Sequence, residues 1–101
     1  MIDGDTIQYG GFRIRLTDID APELRSAKCA SELNRAQRAT QRLAQLLSEG
    51  PVQILSVGSR DEDRYGRKLR VIQRNGRSLG GILVTEGLAR PWDGARRSWC
   101  G

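Results

Sequence analysis

The chain has 101 residues, with 17 basic and 12 acidic side chains and a net charge of +5. This length allows one domain with one small core, and no apolar run approaches the roughly 18 residues of a membrane-spanning helix. Because the sequence holds no histidine, it excludes serine-histidine triads, imidazole bases and histidine-bound zinc. Any catalysis must use carboxylates, arginines or an oxygen-bound metal.

The charge is uneven along the chain. Fifteen of the 17 basic residues are arginine, whose planar guanidinium binds phosphate through two hydrogen bonds. This composition favours a phosphate-rich partner, although charge alone leaves nucleic-acid binding open. Residues 1–24 carry a net charge of −3 and residues 60–77 a net charge of +4. An acidic pocket in a basic protein suits a cation site that faces a polyanion.

The first predicted element is a hairpin of residues 2–9 and 12–16 around Gly10-Gly11. Apolar and charged residues alternate in its second strand, so Phe12, Ile14 and Leu16 should share one face and Arg13 and Arg15 the other. Asp18 and Asp20 continue this spacing until Pro22 ends the strand. A cationic and an anionic group can therefore share one sheet edge.

The rest of the chain predicts two helices and two strands. Apolar spacings of three and four indicate an amphipathic helix over residues 27–49, ended by Gly50-Pro51. Strands follow over residues 52–57 and 67–74. Ser78 can cap a short helix over residues 78–86, after which residues 88–100 form an irregular tail. This order predicts a small α+β domain.

Three charged motifs stand in order along the chain. They are Ile2-Asp3-Gly4-Asp5-Thr6, Arg15-Leu16-x-x-Ile19-Asp20-Ala21-Pro22-Glu23, and Asp63-Arg64-Tyr65-Gly66-Arg67. A lone Asp-Gly-Asp is commonplace, but three such motifs in order seldom coincide by chance. Together they resemble the thermonuclease family, the staphylococcal-nuclease-like phosphodiesterases, and the similarity runs over nearly the whole chain, through Gly87-Leu88-Ala89.

This resemblance implies an α+β fold, mainly a five-stranded OB-type barrel with one long and one short packed helix, over residues 1–101. The first strand would be truncated, and residues 93–101 would form a C-terminal tail. The implied function is a Ca²⁺-dependent nuclease that hydrolyses single-stranded or frayed DNA and RNA. We expect a monomer without membrane contact, secreted or periplasmic in the full-length protein.

The resemblance also implies roles for single residues. Asp5 and Asp20 would bind Ca²⁺ through their carboxylates, and Ala21 through its main-chain carbonyl, where the family's best-known member has threonine. Glu23 would be the general base or would position the water. The residues that would clamp the scissile phosphate are Arg15 and Arg67, and those that would bind the substrate nearby are Arg64, Tyr65 and Trp92.

The chemistry requires these residue types independently of the family. Water attack on a phosphodiester adds negative charge to an anionic centre, so the site must neutralise charge and keep a base nearby. Each motif also has a structural interpretation. Asp3-Gly4-Asp5 is typical of a surface turn, Arg15 could balance a neighbouring aspartate, and Arg64 with Tyr65 could form a solvated loop tip. Trp92 could pack over the barrel instead of stacking on a base.

Cys29 and Cys100 have 70 residues between them. A disulfide would fix the tail and point to an oxidising compartment, while two free thiols are the alternative, since spacing alone does not establish proximity. Two cysteines without histidine disfavour a zinc site.

The alternative function is a catalytically silent nucleic-acid-binding OB-fold module. Such modules typically lack the charged residues of the active family members, whereas this chain keeps them all. The sequence therefore favours an enzyme.

Overall fold

The computed structural model describes residues 4–94 and 97–100, so Ile2 and Asp3 of the first motif and part of the predicted tail lie outside the described residues. The helices are α1 (Ala30–Ser48) and α2 (Leu79–Thr85). The strands are β1 (Thr6–Tyr9), β2 (Phe12–Leu16), β3 (Ile19–Asp20), β4 (Gln53–Ser56), β5 (Lys68–Arg74), β6 (Arg77–Ser78) and β7 (Arg90–Pro91).

Five of the strands form one mixed sheet. Its order is β1-β2-β5-β4, with β6 also paired to β5. The pairs β1–β2 and β4–β5 are antiparallel, whereas β2 and β5 run parallel and bring Arg15 opposite Leu69. The short strands β3 and β7 pair separately. The predicted α+β, OB-like fold is confirmed.

The predicted hairpin forms, with Tyr9 opposite Phe12 across the Gly10-Gly11 turn. Its first strand is shorter than the predicted residues 2–9, since it starts at Thr6 and Gly4 and Asp5 lie in a turn. The predicted assignment of side chains to two faces of β2 stays a prediction, and exposure along the strand does not alternate with it. Phe12 is 56% exposed because it lies at the turn, beyond the core, where the Lys68 ammonium covers its ring at 5.4 Å. Arg15 is only 7% exposed because the following turn folds over its guanidinium.

Helix α1 starts three residues later than predicted, after Cys29, whose extended backbone forms the N-cap. Its buried residues Ala36, Ala39, Leu43 and Leu46 lie at helical spacing and pack on the sheet. The chain turns away at Gly50-Pro51, and Arg74 donates hydrogen bonds to the carbonyls of Leu46 and Gly50, at 2.8 and 2.7 Å. The last carbonyls of a helix have no partner within the helix. This arginine from β5 donates to one of them, at Leu46, and to the Gly50 carbonyl just beyond the helix end.

The short helix α2 is capped by Ser78, whose Oγ accepts the Gly81 N–H at 3.1 Å. The tail was predicted to be irregular, and this prediction is wrong at β7, where Arg90 pairs with Asp20. A strand of two residues is too short to show an alternating pattern in the sequence. Its partner strand also lies 70 positions earlier in the chain. The pairing brings the tail against the segment that holds Asp20.

Cys29 and Cys100 are joined by a disulfide, with their Cα atoms 6.1 Å apart. The alternative of two free thiols is thereby excluded. Neither described helix has the length and apolarity required to cross a membrane.

Candidate active site

The Asp-Gly-Asp segment lies directly on α1. A Cβ atom on Gly4 would stand 2.9 Å from the Cβ of Ala39, so only glycine allows this approach. Asp5 follows and is 1% exposed, and its carbonyl accepts the Leu16 N–H at 2.8 Å. Packing on the helix and pairing with β2 thus fix Asp5 at the bottom of the site.

The Asp5 carboxylate reaches the second motif. Its Oδ2 accepts the Ala21 N–H at 3.2 Å, and its Oδ1 accepts the Thr6 hydroxyl at 3.0 Å. Asp20, the residue before Ala21, is 3% exposed and is held by the β3–β7 pairing. Folding therefore brings together two motifs that stand 15 positions apart.

Arg15 is held on several sides. Its Nη1 donates to the carbonyls of Leu16 and Ile19, the latter at 2.9 Å, and lies 3.5 Å from Asp5 Oδ2. The Trp92 ring lies 5.6 Å from the centre of the guanidinium. A buried cation beside a buried carboxylate offsets part of the cost of removing both from water. These contacts fix the orientation of the guanidinium before any ligand binds.

Arg67 stands on the other side of Thr6. Its Nη1 donates to the Thr6 hydroxyl oxygen at 3.2 Å, and its Nε lies 2.6 Å from Asp63 Oδ2. Because Thr6 also donates to Asp5, a short chain of polar contacts connects Arg67 to Asp5. Arg15 of β2 thus contacts the Asp5 carboxylate directly, and Arg67, just before β5, is connected to it through Thr6.

Asp63 shapes the loop that carries Arg67. Its Oδ1 accepts the N–H groups of Tyr65 and Arg67, at 2.9 and 3.0 Å. Burial is the largest single influence on this carboxyl and raises its pKa, but the hydrogen bonds from Arg67 and Tyr65 together hold the pKa below its ordinary value. Asp63 is therefore ionised where the loop is folded.

A cleft of about 530 Å³ opens beside these arginines. Charged and aromatic side chains line it, among them Arg15, Arg60, Arg64, Tyr65, Arg67 and Trp92. Tyr65 and Trp92 are largely exposed, and Arg64 donates to the Tyr65 hydroxyl at 2.7 Å. Cations beside exposed rings match what a flexible nucleic-acid strand offers, which is phosphates alternating with bases.

Glu23 does not line this cleft. It lines another pocket together with Glu32, Ser98 and Trp99, and its N–H donates to Glu32 Oε2 at 3.2 Å. Pro22, buried, connects it to Ala21. The structure thus brings Arg15, Arg67 and Asp5 together and places Glu23 two residues beyond the main-chain group that Asp5 binds.

The model of the family described as Staphylococcal nuclease homologue matches residues 13–98. The chain belongs to this family. It is 37% identical to a micrococcal nuclease of Shigella flexneri, over 88% of this chain and 53% of that protein. It is 33% identical to endonucleases YncB and YhcR of Bacillus subtilis, again over 88% of this chain, but over 44% and 8% of those proteins. The chain thus spans about half the length of two of these relatives and a small part of the third.

For this staphylococcal nuclease homologue, the hypothesis that Asp5, Asp20 and Ala21 bind a metal ion depends on which donor atoms these residues offer. Within residues 4–94 and 97–100, no group of three or more histidine, cysteine or acidic side chains is arranged to hold one ion. Asp5 and Asp20 nonetheless offer buried carboxylates near the main chain of Ala21. This all-oxygen set fits a hard cation such as Ca²⁺, which accepts carbonyls and waters as its remaining ligands.

Sequence reasoning assigned no role to three residues that shape this nuclease-family site. Thr6 and Asp63 were quoted within motifs, yet they connect and hold the arginines. Glu32 is a buried acid in the first turn of α1 that binds the main chain at Glu23. Its position three residues after the N-cap is typical of an acid that binds main-chain N–H groups at a helix start, and this spacing could have identified it from the sequence.

Proposed function

We propose that this domain is a Ca²⁺-dependent nuclease that hydrolyses phosphodiester bonds of single-stranded or frayed DNA and RNA. The observation that carries the proposal is that Arg15 and Arg67 line one basic, aromatic cleft, where Arg15 pairs with the buried Asp5 carboxylate and Arg67 is connected to it through the Thr6 hydroxyl. Membership of the Staphylococcal nuclease homologue family supports it, as do relatives named as nucleases.

In this proposal the arginines act on the phosphate. Arg15 and Arg67 bind the nonbridging oxygens and stabilise the charge that grows as water attacks, an effect worth about 10³–10⁵ in rate for positioned arginines in phosphoryl transfer. Arg15 needs little reorganisation because main-chain carbonyls and Trp92 already hold it. Arg67 is similarly held by Asp63.

Asp5 and Asp20 would hold Ca²⁺ through their carboxylates and Ala21 through its carbonyl. When bound, the ion supplies Lewis-acid polarisation of the phosphate and stabilises negative charge. Both carboxylates are buried, so their interactions are less screened by bulk water.

Glu23 takes the proton from the attacking water in this scheme. The water oxygen bonds to phosphorus, the bond to the 5′ oxygen breaks, and that oxygen takes up a proton from the solvent, leaving 5′-hydroxyl and 3′-phosphate ends. Arg64 and Tyr65 bind a neighbouring phosphate, and Trp92 offers its exposed ring to a base.

The test is digestion of denatured DNA with Ca²⁺, with a chelator and with the Glu23→Gln variant. We expect cleavage that requires Ca²⁺ and falls by about 10²–10⁴-fold in the variant, the usual contribution of a positioned base. Glu49→Gln is the matched control, because Glu49 lies at the far end of α1. Equal rates for Glu23→Gln and wild type would refute the assigned base. DNA binding without cleavage would instead establish the silent binding module.

The disulfide supports a proposal for the compartment. Disulfides persist in oxidising environments, so the Cys29–Cys100 bridge supports a secreted or periplasmic full-length protein. We further propose that the domain acts as a monomer without membrane contact.

A further inference from the structure

Glu32 is a charged residue that the fold buries, with 6% of its surface exposed. Its Oε2 accepts the N–H of Glu23 at 3.2 Å, and its Oε1 accepts the N–H of Lys28 at 2.9 Å. One carboxylate thus holds both ends of residues 23–28, a segment without helix or strand. Hydrogen bonds to an ionised acceptor are about twice as strong as neutral ones.

The main chain before Glu23 is held as well. The Ala21 N–H donates to Asp5 Oδ2, and Pro22 is fully buried with its φ fixed by the ring. Successive residues are therefore fixed by Asp5, by a proline ring and by Glu32. The position of the Glu23 Cα relative to the Ala21 carbonyl is set by two buried carboxylates.

The disulfide lies against the same carboxylate. Cys100 Sγ stands 3.9 Å from Glu32 Oε1, and Cys29 follows Lys28 directly in the chain. Trp99 and Ser98 line the pocket that contains Glu23 and Glu32. The tail thereby covers Glu32 and limits competition from water for its two N–H partners.

We propose that Glu32 is a positioning residue for cleavage, which holds the main chain of Glu23 so that its carboxylate reaches the attacking water. This inference rests on the proposed function, since it assigns Glu32 an effect that passes through Glu23. A displacement of about 1 Å in a reacting group can cost about 10² in rate, and a six-residue segment released at both ends can move by more than that.

A double-mutant cycle tests the inference, with Glu23→Gln, Glu32→Gln and the double variant assayed on denatured DNA with Ca²⁺. We expect Glu32→Gln to lower kcat by about 10²-fold with little change in KM. In the Glu23→Gln background the same substitution should have little further effect, because the group that Glu32 positions is already lost. Glu49→Gln again serves as the control on α1.

Amide hydrogen exchange gives a second readout that needs no activity. We expect Glu32→Gln to lose protection at the N–H groups of Glu23 and Lys28 while the β5 amides stay protected. Glu32→Asp keeps the charge but shortens its reach by one methylene, and it should show the same pattern if Glu32→Gln fails to fold.

The outcomes separate the two proposals. An inactive wild-type protein contradicts the proposed function, whereas an active wild type with equally active, folded Glu32 variants overturns only the role of Glu32. Equal rate losses for Glu32→Gln in the wild-type and Glu23→Gln backgrounds would also overturn it, because a merely structural acid acts independently of Glu23. Unchanged hydrogen exchange at the N–H groups of Glu23 and Lys28 would overturn it as well.

Discussion

Asp63 shows how one side chain can organise the loop that carries Arg67. It lies at the first position of the Asp63–Arg67 motif and contacts the last, through both the side chain and the main chain of Arg67. The sequence places these residues four positions apart but does not show that Asp63 holds Arg67 in place. The same spacing occurs in Asp93 and Arg97, which pair on the exposed surface.

The lowered pKa of Asp63 predicts a stability effect with a definite sign. A carboxyl whose pKa is lower in the folded state stabilises that state above its ordinary pKa, about 4, and this contribution is lost as the pH falls below that value through the folded pKa. We expect Asp63→Asn to lower the free energy of unfolding at neutral pH by about 2 kcal/mol. The difference from wild type should shrink below about pH 4.

Denaturant titrations at neutral and acidic pH measure this effect. Asp93→Asn is the control, because an exposed ion pair contributes only about 0–1 kcal/mol. A wild-type advantage over Asp63→Asn that stays constant on acidification would mean that ionisation of Asp63 does not stabilise the fold.

At the scale of elements, the conformation of the loop before β5 depends on the turn at Gly66. Gly66 has a φ of 77°, in the left-handed region, and its N–H donates to the Asp63 carbonyl at 3.1 Å. The turn delivers Arg67 to the start of β5, where the parallel pairing with β2 brings it alongside the Arg15 strand. The conformation of one turn thus decides whether both arginines face the same cleft.

We expect Gly66→Ala to cost about 1 kcal/mol of folding free energy, because an L side chain in this region is strained by that amount or more. No atom lies within 4 Å of where the new Cβ would stand, so the cost is that of the backbone alone. Gly11→Ala is the matched control, since Gly11 has equal space and no positive φ. Equal unfolding free energies for the two variants would show that the turn tolerates alanine.

Local patterns predicted the long helix because its apolar residues recur at helical spacing and bury one face, and they predicted β4 and β5 from short apolar runs. They did not predict the start of α1, which is delayed while Glu32 binds the preceding segment. They also missed β7, whose two residues form a strand only against β3. Both errors occur where contacts from distant residues, and not periodicity, decide the backbone conformation.

Over the whole molecule, the tail is bound to the body by covalent and polar contacts. The disulfide spans a sequence separation of 71, and the Trp99 ring lies 3.7 Å from the guanidinium of Arg90 and 5.4 Å from that of Arg35. These contacts bring the end of the described chain to the start of α1. They close the side of the domain that carries Glu23 and Glu32.

We expect removal of the disulfide, by reduction or by Cys29→Ser with Cys100→Ser, to lower the free energy of unfolding by about 4 kcal/mol. A bridge that closes a loop of this length restricts the unfolded chain by about that amount. Denaturant titration with and without reductant measures the change. The serine variant should show no further effect of reductant, and an unaltered midpoint for reduced wild type would contradict the prediction.

The sequence by itself determined the fold class, the long helix and the identity of the charged residues, because periodicity and motif order are local properties of the chain. The tertiary structure decided that Asp5 meets Ala21, that Thr6 and Asp63 hold Arg67, and that Cys29 pairs with Cys100. It also placed Glu23 among the residues of a second pocket and gave its main chain Glu32 as a partner. Such contacts depend on how strands and loops meet in space, and the free energy that selects them comes from burial and hydrogen bonding between distant residues.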